Sequence, residues 1–154
     1  MQALLAELEA LWRETEALYG GHSCPGATEC CRFAVTGREP YVTSIELLSV
    51  AKAVAARGGP LRDRRRAEPL DREVSRETER TCPLLDEQAR CAVYAARPLG
   101  CRTYFCHQAD RDRPIRQREV TALVRRLQDI AARHEPDGDR GRPLTRALRQ
   151  LGLG

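Results

Sequence analysis

The chain predicts a mostly helical fold, a small single domain of about five helices around a cysteine-rich centre. Three observations point to it. Apolar residues recur at helical spacing in separate stretches punctuated by Gly and Pro. The 7 cysteines crowd two segments, with Cys24, Cys30 and Cys31 upstream and Cys82, Cys91, Cys101 and Cys106 downstream. Finally, a chain of 154 residues with 5% aromatic and 31% charged side chains must build a modest core mainly from Leu, Val, Ile and Ala. The whole of 1–154 reads as one domain, with a cysteine-cluster core at 22–107 and flanking helices at 2–19, 114–134 and 144–151.

Taken in order, residues 2–19 have the pattern of an amphipathic helix. Leu4, Leu8, Leu11, Thr15 and Leu18 form one stripe, with Leu5, Trp12 and Tyr19 beside it, and Gly20-Gly21 ends it. His22 to Arg32 reads as a loop in which Pro25 and Gly26 allow sharp turning. Phe33 to Val35 predicts a short extended piece ended by Thr36-Gly37. A second helix spans 43–57, with Thr43 as N-cap, Glu46 at the capping-box position and Leu47, Val50, Ala51 and Val54 as its apolar stripe.

Gly58-Gly59-Pro60 stops that helix, and the charged stretch 61–80 predicts a loop followed by a weak helix over 71–80. A short helix over 86–96 would carry Cys91 and Tyr94 on one face, and Pro98 and Gly100 would turn Cys101 back toward Cys91. Arg113-Pro114 opens the longest later helix, to 134, with a broad stripe of Val120, Leu123, Val124, Leu127, Ile130 and Ala131. Residues 136–141 predict a turn, and a final helix over 144–151 packs through Leu144, Ala147, Leu148 and Leu151.

Dense thiols need a chemical explanation. Thiolates are soft donors suited to zinc and to iron-sulfur clusters, and four of them can close a coordination shell. Disulfides alone would leave one of 7 cysteines over, and vicinal Cys30 and Cys31 suit one metal site better than a bond to each other. A third alternative is a set of unconnected core cysteines. The first 18 residues carry Glu7, Glu9, Arg13, Glu14 and Glu16, a pattern unlike a signal peptide or membrane span. A cytosolic location is therefore predicted, where thiols stay reduced and metal ligation is favoured. A structural zinc site contributes roughly 10 to 16 kcal/mol of apparent binding free energy, so chelation should loosen the fold.

Other polar residues lie close to the cysteines in sequence. His107 follows Cys106 directly and is the best nitrogen donor; His22 is the second choice. His134, near a helix end, suits an interaction with the helix C-terminus. Arg97 and Arg102 flank cysteines and could offset thiolate charge or form surface salt bridges. Tyr94 and Tyr104 suit a covering role, and Glu29 and Asp86 read as solvated carboxylates. The charge of +4 is spread over interleaved signs, which argues against a nucleic-acid partner; the basic run at 62–66 is the one exception, read as a solvated loop.

The downstream motif, Cys82-Pro83-Leu84-Leu85 followed by Cys91-x-x-Tyr94-x-x-Arg97-Pro98-x-x-Cys101-Arg102-x-Tyr104, resembles that of the YkgJ-type cysteine-cluster family, CxxCxxCC-like domains held to chelate zinc or iron. The resemblance covers about 22–107. It implies a metal-binding protein using Cys24, Cys30, Cys31, Cys82, Cys91, Cys101, Cys106 and His107, with zinc or iron as cofactor, including a 4Fe-4S cluster. The chain departs from the family at Ala27, where a second cysteine stands in the usual motif. A histidine then completes the shell, a position stays open, or the metal is held weakly. The family's relation to flagellin lysine N-methylases implies an alternative, an iron-sulfur-dependent enzyme or electron carrier connected with protein lysine methylation. No G-x-G-x-x-G, Walker-type loop or H-E-x-x-H accompanies it, and whether the chain is an enzyme stays open at this point.

Overall fold

The computed structural model describes residues 1–19, 29–60, 81–103, 116–137 and 139–153. The basic run at 62–66, the weak helix over 71–80 and the Arg113-Pro114 helix start lie outside them. Gln2–Leu18 forms α1, which buries Leu8, Leu11, Trp12 and Thr15. The Thr15 hydroxyl donates to Leu11 O at 2.8 Å, which satisfies it inside an apolar seam.

Phe33–Thr36 forms a one-turn helix, α2, rather than the predicted extended piece. Gly37 closes it in the left-handed region (φ 65°) and donates its N–H to Phe33 O at 3.0 Å. That glycine cap, with Phe33 buried beneath the turn, overrides the strand preference of Val35.

Tyr41–Val42 is β1, and Ser44–Ala56 is α3. The predicted capping box is present: Thr43 N–H and Oγ1 both donate to Glu46 Oε2, at 2.9 and 2.8 Å. The one-turn helix Leu99–Arg102 is α4, Gln117–His134 is α5, Arg142–Pro143 is β2 and Leu144–Gln150 is α6. Strands β1 and β2 pair antiparallel, Tyr41 with Pro143 and Val42 with Arg142. This short ribbon is the departure from an otherwise helical architecture. The stripe of α5 is narrower than predicted: Leu123, Leu127, Ile130 and Ala131 are buried, whereas Val124 is 38% exposed.

The predicted helix over 86–96 is replaced by a tight reversal. Leu85 and Cys91 form an antiparallel bridge, and Asp86 Oδ1 accepts from Gln88 N–H at 3.0 Å and Arg90 N–H at 2.8 Å. An aspartate that satisfies nearby amides in this way offers the backbone an alternative to helix. Ala89 turns the chain with φ 56°, and a 3-10 turn at Tyr94–Ala96 follows. Cys91 and Tyr94 thus do not share a helix face, and Asp86 is a turn former rather than a free carboxylate.

Two apolar clusters result. In the first, α1 and α5 pack together with Ile45 and Leu99 through Leu8, Leu11, Leu123, Leu127 and Ile130. In the second, Leu47, Val50 and Val54 of α3 meet Phe33, Val42, Leu84, Val93, Leu144, Ala147 and Leu148 around Cys82, with Cys31, Cys91 and Cys101 packed against them. Helix α3 faces both. Among the described residues no helix is long and apolar enough to cross a membrane.

Candidate metal centre

Four short segments deliver the thiols. Cys30 and Cys31 lie on a 3-10 turn, Glu29–Cys31, with their sulfurs 3.9 Å apart. The following residue, Arg32, bridges Thr81, and Cys82 N–H donates to Cys31 O at 2.7 Å. These backbone bonds splice the upstream cysteines to the downstream ones. The Leu85–Cys91 bridge and the bond from Ala92 N–H to Leu84 O, 2.8 Å, fold Cys91 back over the same place.

Cys101 arrives on α4, whose first amide, Leu99 N–H, donates to the buried Glu46 Oε1 at 2.7 Å. Glu46 therefore caps two helices with one carboxylate. Gly100 lets α4 lie close to β1, since a Cβ there would stand 3.1 Å from Pro40 Cβ and 3.4 Å from Tyr41 O.

Crowding and burial both act on the ionisation of these thiols. The Cys31 thiol and burial together push the Cys30 pKa far up, with the Arg97 charge opposing. At Cys31 the Cys30 contact lowers the pKa, but a hydrogen bond with Cys82, burial and the neighbouring Cys82 and Cys91 outweigh it and push it up to about 12. Burial raises Cys91, again against Arg97. Burial also raises Cys101, with Cys31, Cys91, Cys30 and Glu46 adding to it. Cys30, Cys31, Cys91 and Cys101 resist ionising because contacts with neighbouring thiols, burial and like charges together disfavour the thiolate. A bound cation would reverse that preference.

Of the eight residues singled out from the sequence, Cys30, Cys31, Cys82, Cys91 and Cys101 come together, and all five are free thiols. Cys24, Cys106 and His107 lie outside the described residues, as do His22, Ala27 and Tyr104. Among the described residues no three His, Cys, Asp or Glu side chains stand ready to hold one ion. The donor set nonetheless fits zinc or iron in chemical type: soft sulfur ligands drawn from separate segments, partly buried and mutually repelling as anions.

Neighbouring residues take roles the sequence left open. Arg97 stacks over the Tyr94 ring at 3.5 Å and donates from Nε to Tyr94 O at 3.0 Å, so its charge stays beside the thiols. Arg102 is buried, not a surface salt-bridge residue. Glu46, read from the sequence as a cap, also holds the Cys101 turn; its place three residues after Thr43 signals the first role, and nothing local signals the second.

His134 ends α5 as predicted, and its Nδ1 lies 2.8 Å from Ser44 Oγ. Asp139 accepts from the Ser44 amide and from Gly141 N–H, and against the opposing effect of burial these bonds hold its pKa below the usual carboxylate value. The trio clamps the start of α3 to the end of α5.

A helical scaffold that gathers cysteines from distant segments into one half-buried cluster defines a small cysteine-cluster domain. More particularly, the chain belongs to the CxxCxxCC family, described as a "Putative zinc- or iron-chelating domain", whose model matches residues 23–123. No curated protein matches the chain, and no solved structure does.

Proposed function

We propose that the chain binds zinc or iron through thiolates of Cys30, Cys31, Cys82, Cys91 and Cys101, with Cys24, Cys106 and His107 completing the coordination. The observation that supports this most is the splice of the two cysteine segments, the 2.7 Å bond from Cys82 N–H to Cys31 O, which places upstream and downstream sulfurs in one cluster. Family membership supports the same choice of metals. The metal would supply positive charge beside Cys30, Cys31, Cys91 and Cys101, whose raised pKa values favour the protonated thiol, and binding would release their protons. Free thiols of this kind suit a reducing compartment, and we place the protein in the cytoplasm.

The protein's own residues do the rest. Glu46 orients the Cys101 turn, Arg97 offsets negative charge, and Val93, Leu84 and Phe33 keep water from one side of the cluster.

Elemental analysis of protein purified without added metal tests the reading. Zinc or iron in fixed ratio to protein is expected, reduced in Cys91→Ser and in Cys101→Ser. Wild-type metal content in both variants, or no metal in the wild type, overturns it. Colourless protein with zinc would make the centre structural; colour with iron and acid-labile sulfide would favour an iron-sulfur enzyme or electron carrier instead.

A further inference from the structure

We propose that Arg102 is a positioning residue for the Cys101 sulfur, and that it makes α1, which lies outside the matched residues 23–123, a working part of the metal centre. The inference rests on the metal-binding reading above for its meaning, and on the following geometry for its argument.

Helix α4 has a single turn. Its internal bonds are few, Cys101 N–H to Pro98 O at 2.9 Å and Arg102 N–H to Pro98 O at 3.1 Å, and a helix this short has no stability of its own in water. Its orientation, and with it the direction of the Cys101 side chain, must be imposed from outside. Glu46 imposes it at the start, through Leu99 N–H.

Arg102 imposes it at the end. The side chain is 4% exposed. Its Nε donates to Arg97 O at 2.7 Å, Nη2 donates to Ala95 O, and Nη1 pairs with Glu16 of α1. The guanidinium also stacks on the Trp12 ring, 4.5 Å from its centre. One planar fork thus joins three places at once: the turn that precedes Cys101, the turn that carries it, and the buried face of α1.

The Trp12 contact is one-sided in a useful way. Its indole N–H is buried without a hydrogen-bond partner among the described residues, so stacking and apolar packing hold the ring. An arginine meets this set of partners because its donors diverge in a fixed plane while its face stays free to stack. Lysine, a point charge on a flexible stem, could keep the pair with Glu16 but not all three contacts. The geometry therefore asks for arginine, not merely for positive charge.

The test uses full-length protein loaded with Co2+, with iodoacetamide labelling of each cysteine mapped by mass spectrometry. Trp12 is the only tryptophan in the chain, so its fluorescence reports the stacking partner. In Arg102→Gln and Arg102→Lys, Cys101 labelling should rise roughly 10- to 100-fold, the range expected when a group that orients a metal ligand is lost. Labelling of Cys30, Cys31, Cys82 and Cys91 should stay near wild type, and Trp12 emission should shift in both variants. Glu16→Gln should give a smaller rise confined to Cys101.

Wild-type labelling of Cys101 in Arg102→Gln, or full restoration by Arg102→Lys, overturns the proposal. Uniform labelling of all five cysteines in Arg102→Gln means that this variant has unfolded. Glu16→Gln then decides: a rise confined to Cys101 sustains the proposal, and no change overturns it. If the wild type takes up no Co2+, the metal reading fails on its own. The same comparison in the metal-free protein still decides the positioning role, sustained by selective exposure of Cys101 in the variants and overturned by its absence.

Discussion

The two apolar clusters of this protein are held by different physics. Between α1 and α5 the cluster is free of thiols, all its residues but Ile45 and Leu99 come from two helices of several turns, and its periphery is tied by ion pairs of Arg126 with Glu14 and Arg133 with Glu7. Around Cys82 the faces of α3 and α6 meet one-turn helices, isolated bridges and a two-residue ribbon, and the fixed points of the cysteine segments are single hydrogen bonds such as those of Glu46 and Cys82. The first cluster follows from helical periodicity alone. The second joins segments that have no reason to adopt their geometry separately, and burial and crowding raise the pKa values of Cys30, Cys31, Cys91 and Cys101 within it. A fold divided this way should respond to metal in one half and to side-chain truncation in the other.

Metal removal should have the largest effect. A zinc site contributes on the order of 10 kcal/mol of apparent free energy, so chelation should lower Tm sharply and speed amide exchange at Leu84, Ala92 and Cys101. Amides in the middle of α1 and α5 should remain protected. If both clusters lose protection together, the division does not hold. Next in size, Leu11→Ala removes a side chain that is 0% exposed and should cost about 2 to 5 kcal/mol while metal content per folded protein stays constant. Glu46→Ala lies between the halves. It strips acceptors from Thr43 and Leu99, costing about 3 kcal/mol for the buried donors it leaves unmatched, and it should lower metal content as well. Glu46→Gln, which keeps one acceptor, should lose less of both.

The same division explains what could be read from the chain beforehand. Helices α1, α3, α5 and α6 were legible because their leucines and valines recur at helical spacing between Gly and Pro breaks, and the Thr43 cap announces itself through Glu46. That Cys30 and Cys31 lie near Cys82, Cys91 and Cys101 was legible from the two crowded cysteine segments. The structure between them was not. At 86–96 the helix-forming alanines and glutamine lost to the Asp86 turn, and at 33–36 a glycine cap turned a strand-like run into a helix. Nothing in the local sequence of α1 shows that Trp12 and Glu16 meet Arg102, 86 residues from Glu16, because that contact depends on how two distant segments dock.

Acidity sharpens the comparison further, with a sign that depends on metal. The raised pKa values of Cys30, Cys31, Cys91 and Cys101 mean that in the metal-free fold these thiols hold protons more tightly than in the unfolded chain, where ionisation begins near the ordinary thiol pKa of about 8.5. The unfolded state then binds fewer protons, so the thiols' contribution to metal-free stability should be constant below about pH 8.5 and decline toward pH 12. Metal-loaded protein holds thiolates and should instead lose stability on acidification, as protons compete for sulfur. Thermal melts of both forms from pH 5 to 10 check this, and parallel curves would mean that the cysteines do not carry the metal.

The smallest effect should come from the periphery of the helical half. Arg133 reaches Glu7 with two nitrogens, and each partner's pKa moves in the direction of a formed pair, Glu7 down and Arg133 up, with the hydrogen bond between them as the leading cause. The side chains are nevertheless about half exposed, 52% and 47%, so water and salt screen the attraction and ordering two long side chains offsets it. Arg133→Gln should therefore leave Tm and metal content at wild-type values, and the small residual change should vanish in 1 M salt, where the screening length shortens to about 3 Å. A large fall in Tm would show that α1 and α5 depend on this pair and not on their leucines, reversing the account of the helical half.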